Sequence, residues 1–297
     1  MRCLDVVRIG VSGSYGGFNL GDEAILQCIL RNFRSTINVE FTVFTKDSED
    51  TARRHRVERI IPVLEMTREE VAPEIERLHL FILGGGGILY DALAKRYLRE
   101  AFIALELGVP VMVFAVGAGP LNDPIVQVQV RDCLERASAV TVRDRMARQI
   151  LEEIGVRREV RLTADPALLL EPEAVGDDVL THEHFGDGRQ LVGVSVREPG
   201  EAAPGMEEEH YHTILANSAD FMIDRFGANI IFVPMERKAQ DLQHCHAVIS
   251  RMLRPQHATV LQGEFTSCQL LGIMDRFSFV VGMRLHFLIF SALREIP

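Results

Sequence analysis

The feature that most constrains this chain is a recurring one. Apolar, β-rich runs appear without polar alternation: "VVRIGVSG" (6–13), "VEFTVFT" (39–45), "LHLFILGGGG" (78–87) and "PVMVFAVGAGP" (110–120). A strand with one wet face alternates, whereas a continuous apolar run belongs to a strand covered on both faces, as in a parallel sheet. Shorter runs at 59–63, 139–144 and 160–170 extend the series. Helical patterns fall between them, at about 22–33, 48–56, 67–77, 92–107 and 124–137, with another ending near residue 155. Strand, helix, strand at this spacing predicts right-handed βαβ units.

The pattern breaks at 171–189, "EPEAVGDDVLTHEHFGDGR", which is acidic, Gly-rich and free of apolar runs, and so reads as a linker. A second series follows, with strands at 190–198, 229–235, 258–263 and 277–283 and helices near 207–226, up to 253 and 266–275. At 297 residues two medium domains are affordable. The expectation is therefore an α/β protein with two Rossmann-like domains, 1–175 and 189–297, facing each other across a cleft. The chain stops at Pro297, just after a helix that opens near Leu285, so the second domain is expected to be incomplete.

Charge and cysteines exclude several classes. A net charge of −10 argues against a broad nucleic-acid or anionic-membrane surface, while leaving room for a small basic pocket. Five scattered cysteines without a C-x-x-C suggest a reducing cytoplasm rather than a disulfide framework or a zinc site. The N-terminus lacks the apolar stretch of a signal peptide. The nearest approach to a membrane span, "VVGMRLHFLIFSAL" (280–293), is interrupted by Arg284 and His286.

Loops at the C-terminal ends of parallel strands form the ligand crevice of such sheets, so candidates are sought there. "GSYGGFNLGDEAIL" (13–26) offers Asn19, Gly21 and Asp22. It is neither a dinucleotide fingerprint nor a P-loop. Asp22 reads either as a helix cap or as a carboxylate that orients or deprotonates a hydroxyl, and Asn19 as a turn residue or a ligand contact. In "FILGGGGILYD" (81–91), Gly85 and Gly86 expose backbone N–H groups to an anion, or else allow close packing. Arg143 in "TVRDRMARQIL" (141–151) ends a strand and either binds an anion or pairs with a carboxylate, Asp165 being at hand, and Asp144 is placed to cap the next helix. Arg197 and Glu236 follow strands of the second series, with Asp241 close behind. In an extended segment Arg284 and His286, two apart, share a face. His182 and His184 sit in the acidic linker, and His244 and His246 diverge on a helix, so no cluster has metal-ligand spacing and no metal or cofactor is expected. No hydrolase triad is visible, since Ser195 has no evident base.

Taken in order, "GGFNLGDEAIL", "LGGGGILYD", "VRDRMARQIL", "ADPALLL", "GVSVRE", "VPMERKAQD" and "GMRLHFLIFSAL" resemble the polysaccharide pyruvyltransferase family, and its bacterial cell-wall members above all. The resemblance implies a fold like the two-domain GT-B glycosyltransferases. It implies phosphoenolpyruvate as donor substrate and a lipid-linked or polymeric saccharide as acceptor, with a pyruvate ketal on two hydroxyls of one sugar as product. The first domain would face the acceptor and the second the donor. The family's essential arginine falls on Arg143, and its R-L-H motif on Arg284 and His286. A lysine that relatives carry farther downstream has no counterpart before Pro297. On this reading Arg143 and Arg284 hold the two anionic ends of the donor, His286 is a general acid or phosphate ligand, and Asp22 or Glu236 accepts a hydroxyl proton. The rivals are a nucleotide-sugar glycosyltransferase of the same fold class and a truncated, non-catalytic binding module. Neither nucleic acid nor a transmembrane segment enters any of these readings, though an acceptor on a lipid would bring the protein near a membrane surface.

Overall fold

The computed structural model describes residues 6–176, 188–200, 203–236 and 240–297. The expected linker lies partly outside the described residues, His182 and His184 wholly so. The chain divides into two compact units: one runs to Gly17 and resumes over Asp22–Leu169, and the other takes Phe18–Gly21 and Leu170–Pro297.

The first unit is built on β1 (Val7–Ser12), β2 (Val39–Thr45), β3 (Arg59–Pro62), β4 (Leu80–Leu89), β5 (Val111–Ala118), β6 (Ala139–Val142) and β7 (Val160–Leu162). They pair in parallel in the order β3-β2-β1-β4-β5-β6-β7. The sheet reverses its direction of growth between β1 and β4, and the C-terminal ends of those strands flank the crevice where such sheets bind ligands. The helices are α1 (Leu20–Thr36), α2 (Ser48–Arg54), α3 (Arg68–Glu76), α4 (Ala94–Glu106), α5 (Pro124–Arg136) and α6 (Arg145–Glu153). Local chemistry starts them: Thr67 and Glu70 form a capping box for α3, and Asp144 accepts from Ala147 N at 2.7 Å to cap α6. Phe41, Phe44, Phe81 and Val113 are fully buried in the core, and each such phenylalanine contributes roughly 1.5–3 kcal/mol by burial.

Two expectations change here. The four glycines do not form a strand-to-helix loop: β4 continues through them to Leu89, pairing Gly84, Gly86 and Gly87 with β5. The 160–170 run is strand only over Val160–Leu162, after which Pro166–Leu169 winds into a 3₁₀ turn. Pro166 has no N–H to give a ladder, which favours that ending.

The second unit carries β8 (Leu191–Ser195), β9 (Asn229–Phe232), β10 (Ala258–Val260) and β11 (Phe279–Gly282), parallel in the order β10-β9-β8-β11. Its switch point lies between β8 and β11. Its helices are α7 (Glu208–Phe226), α8 (Asp241–Ile249), α9 (Ser267–Ile273) and α10 (Leu285–Leu293). Gly227, at φ 63°, ends α7 in the left-handed region that glycine adopts without penalty. The apolar 280–293 stretch supplies β11 and α10. In the structure Phe287 and Phe290 are buried, whereas Val281, Met283, Leu285 and Leu288 are exposed, because β11 lies at the edge of the described sheet.

Candidate active site

In the first unit the crevice is shaped by absent side chains. A Cβ on Gly13 would stand 2.5 Å from the Gly84 carbonyl oxygen, and one on Gly85 2.0 Å from Ile25 Cγ2. Gly85 and Gly86 both have positive φ (70° and 80°), so β4 turns there in a way other residues resist. Asp22 comes to this bend: its Oδ1 would lie 2.9 Å from a Cβ on Gly86. Asp22 is not the helix cap. α1 opens at Leu20, and Asn19 Oδ1 accepts from Gly21 N at 2.9 Å. Tyr15, fully buried, donates its hydroxyl proton to Gly84 O at 2.6 Å. Burial, then the charges of Asp22, Glu23 and Asp165, hold its pKa well above the ordinary phenol value.

Arg143 sits just past β6, over glycine-bared backbone. A Cβ on Gly117 would meet its Nε and Nη2 at 3.0 Å, and one on Gly87 its Nη2 at 3.5 Å. Nη1 donates to Asp165 Oδ2 at 3.0 Å, so the ion pair raised by the sequence is present. Asp165 Oδ1 is taken by Ala167 N at 2.9 Å. Nε is 3.5 Å from Asp144 Oδ2, an ion-pair distance, but is buried and makes no hydrogen bond among the described residues. One edge of this guanidinium is therefore fixed and the rest is left with donor capacity.

Sequence reading missed two groups in this unit. Lys46, first after β2, donates to Ser14 Oγ at 2.9 Å and lines a small cavity of about 110 Å³ with Ser12, Gly13, Arg96, Tyr97 and Arg99. A cation directly after a strand's C-terminal end was the available signal. Glu23, buried on α1, accepts from Gly16 N at 2.9 Å and meets His55 Nε2 at 2.7 Å, tying the glycine loop to the end of α2.

In the second unit Arg284 answers a different demand. Its Nε and Nη2 donate to Asp241 Oδ2 and Oδ1 at 3.1 and 2.5 Å. Nη1 lies 3.1 Å from Glu236 Oε2, and Nη2 3.5 Å from Glu198 Oε2. Burial by itself lowers a guanidinium pKa, but the Asp241 hydrogen bond and charge, then Glu236 and Glu198, raise it above its ordinary value. Asp241, fully buried, also accepts from Met235 N and Glu236 N at 3.1 and 3.0 Å. Asn19 Nδ2 donates to Glu236 Oε2 at 3.3 Å. Arg197 bonds its neighbour Glu198, and its carbonyl accepts from Tyr211 Oη. Ser195 Oγ, at the end of β8, is buried and makes no hydrogen bond among the described residues.

Arg284 and His286 do not share a face. β11 ends at Gly282, Arg284 holds an extended conformation (φ −89°, ψ 122°) before α10, and His286 is already helical. Arg284 turns to the carboxylates, while His286 packs on Gly21, where a Cβ would stand 2.2 Å from Nδ1. Gly21 thus makes room for His286. The structure also gathers a set the sequence reading passed over: Glu208, His212 and His244 bring one ligand atom each within 4.8 Å of one another. Glu208 and His212 are four apart on α7, the spacing that would have pointed to it.

A family profile described as polysaccharide pyruvyl transferase matches residues 19–297. Among solved structures, the UDP-GlcNAc 2-epimerase of Methanocaldococcus jannaschii aligns over 98% of this chain and 82% of its own, at 10% identity and TM-score 0.63. The S. aureus MnaA–UDP structure aligns over 98% and 78%, at 8% identity and TM-score 0.61. A family 9 glycosyl transferase from Veillonella parvula aligns over 99% and 80%, at 17% identity and TM-score 0.51. At these identities the likeness establishes the fold alone, a mostly parallel α/β fold with GT-B-like structural neighbours. No curated protein matches the chain.

Proposed function

The chain belongs to the polysaccharide pyruvyl transferase family, and on that premise we propose that it moves the pyruvyl group of phosphoenolpyruvate onto two hydroxyls of a sugar in a cell-wall polysaccharide precursor. The donor bears a phosphate and a carboxylate. Ketal formation requires protonation of C3, addition of a hydroxyl oxygen at C2, departure of phosphate and addition of a second hydroxyl at C2. One hydroxyl proton is balanced by the C3 proton and the other leaves with phosphate. An anion receptor, a proton donor and a base are therefore needed.

Arg143 is the anion receptor in this reading. The observation that carries it is the buried Nε, which makes no hydrogen bond among the described residues, on a guanidinium whose opposite edge Asp165 holds. A planar fork with donors to spare suits a carboxylate or phosphate oxygen. His286 is the proton donor, an imidazole being able to carry a proton and release it to carbon. Glu236 accepts a hydroxyl proton, with Asp22 serving acceptor hydroxyls in the first unit. Arg284 changes role: its donors already face carboxylates, so it acts as a positioning residue that holds Glu236 and Glu198. Asn19 serves the same end from the other side of Glu236. Gly85 and Gly86 shape the bend beside Asp22, and Arg197 steadies Glu198.

The test is phosphate release from phosphoenolpyruvate in the presence of a pyruvate-accepting sugar. Arg143→Lys keeps the charge but loses the fork, and is expected to lower kcat/KM by about 10²–10³-fold. His286→Ala is expected to lower kcat with little change in donor binding. Activity of Arg143→Lys within a few-fold of wild type, or calorimetric binding of UDP in place of phosphoenolpyruvate, would overturn the reading.

A further inference from the structure

We propose that Glu208, His212 and His244 form a divalent metal site of the zinc class that clamps α7 to α8. His212 Nε2 and His244 Nδ1 are 2.9 Å apart, and Glu208 Oε1 lies 3.8 Å from the first and 3.7 Å from the second. A point equidistant from three atoms so spaced stands about 2.0 Å from each. Zinc–imidazole and zinc–carboxylate bonds are roughly 2.0–2.2 Å long. The two imidazoles are hydrogen-bonded to each other as they stand; an ion would replace that bond, with side-chain shifts of a few tenths of an ångström toward the roughly 3.3 Å spacing of tetrahedral ligands.

The donor set is equally specific. Two imidazoles and a carboxylate suit zinc and its first-row neighbours, not calcium or magnesium, which take oxygen ligands. Both imidazoles are buried, whereas Glu208 is 65% exposed at its side chain, so the ion would enter from solvent and keep water in a fourth position. Metal ligation requires neutral imidazoles. The aromatic ring of Tyr211 flanks both histidines, at centroid distances of 5.5 and 6.4 Å, and limits their rotation.

The position gives the site a consequence. His244 is one turn beyond Asp241 on α8, and Asp241 is the residue that seats Arg284. Metal bound here would hold the start of α8, and with it the carboxylate network, against α7.

The experiment titrates the full chain with zinc chloride against a chromophoric chelator, and with cobalt(II) read by visible absorption. One equivalent should be retained, with a tetrahedral cobalt spectrum and a melting temperature raised by roughly 3 °C or more. His212→Asn and His244→Asn should abolish the tight equivalent. Glu208→Gln, at an exposed position that leaves folding intact, should weaken it by about tenfold or more. His246→Asn, exposed on the same helix, should not change it. Equal zinc retention by wild type, Glu208→Gln and the histidine variants would overturn the proposal, as would the absence of a tetrahedral cobalt band in wild type.

Discussion

Each unit places an arginine just past the C-terminal end of a strand, and the two arginines are bonded differently. Arg143, after β6, meets one carboxylate at hydrogen-bond distance and a second at 3.5 Å, and keeps a buried N–H that makes no hydrogen bond among the described residues. Arg284, after β11, is ringed by Asp241, Glu236 and Glu198. Arg284 and Arg197 face Asp241, Glu236 and Glu198, and Arg143 faces Asp165 and Asp144, so the two clusters differ in how fully the arginine is bonded rather than in formal charge. On the function proposed above, the anionic donor is assigned to Arg143, whose buried Nε makes no hydrogen bond among the described residues, and the proton-accepting role to Glu236. The difference teaches that a conspicuous arginine in an apolar stretch announces a polar site without saying which sign of ligand the site receives.

The largest effect that could break this contrast lies in the acids that seat the arginines. Asp241→Ala removes a fully buried carboxylate that accepts from Met235 N, Glu236 N and the Nε and Nη2 of Arg284. Leaving those donors unmatched is expected to cost about 3–5 kcal/mol of stability. Asp165→Ala removes one arginine contact and the acceptor of Ala167 N, and is expected to cost about 1–3 kcal/mol. Urea unfolding of both variants decides the matter. Equal losses would mean that the two arginines are anchored alike.

A smaller effect separates the units by pH. Tyr15 has a pKa raised well above its ordinary 10.0, chiefly by burial and then by Asp22, Glu23 and Asp165. A raised folded-state pKa gives stability that is complete below the unfolded value and declines above it, because only the unfolded chain then releases the proton. Stability should therefore fall as pH rises past 10, and Tyr15→Phe should make that fall shallower. Tyr211, whose pKa burial pushes up to about 12, contributes in the same sense over a narrower window. The check is the slope of unfolding free energy against pH above 10 for wild type and the two phenylalanine variants. A greater flattening by Tyr211→Phe would reverse the assignment.

The parallel α/β plan was legible because burial on both faces leaves its mark on every strand as an unbroken apolar run. Of the two readings the glycine run allowed, close packing holds at Gly85, but its partner was illegible because the reason is tertiary. Gly85 is glycine to clear Ile25 on α1, and nothing in residues 81–91 reveals that neighbour. The partners of Arg284 were hidden for a similar reason: Asp241 is 43 residues away in sequence. The two-residue period that set Arg284 and His286 on one face failed because it holds only while the strand continues, and β11 ends at Gly282. His212 and His244, 32 residues apart on different helices, are joined by helix packing that periodicity does not encode.

The smallest effect tests whether the irregular backbone beside Arg143 is held under tension. Ala115 lies in β5 at φ 50°, between Val113 and Val116, where the register with β6 shifts, and its N–H donates to Thr141 Oγ1 at 2.7 Å. An alanine in the left-handed region costs roughly 1–2 kcal/mol, and glycine avoids that cost while adding unfolded-state entropy of about 0.5–1 kcal/mol. Ala115→Gly is therefore expected to stabilise the protein by at most about 1 kcal/mol, visible as a small rise in the urea midpoint. Thr141→Val should act in the opposite direction, since it leaves the Ala115 N–H without its acceptor. If Ala115→Gly destabilised instead, the methyl group would be contributing packing that outweighs the backbone cost, and the bend beneath Gly117 and Arg143 would be set by side-chain contacts rather than by the Thr141 hydrogen bond.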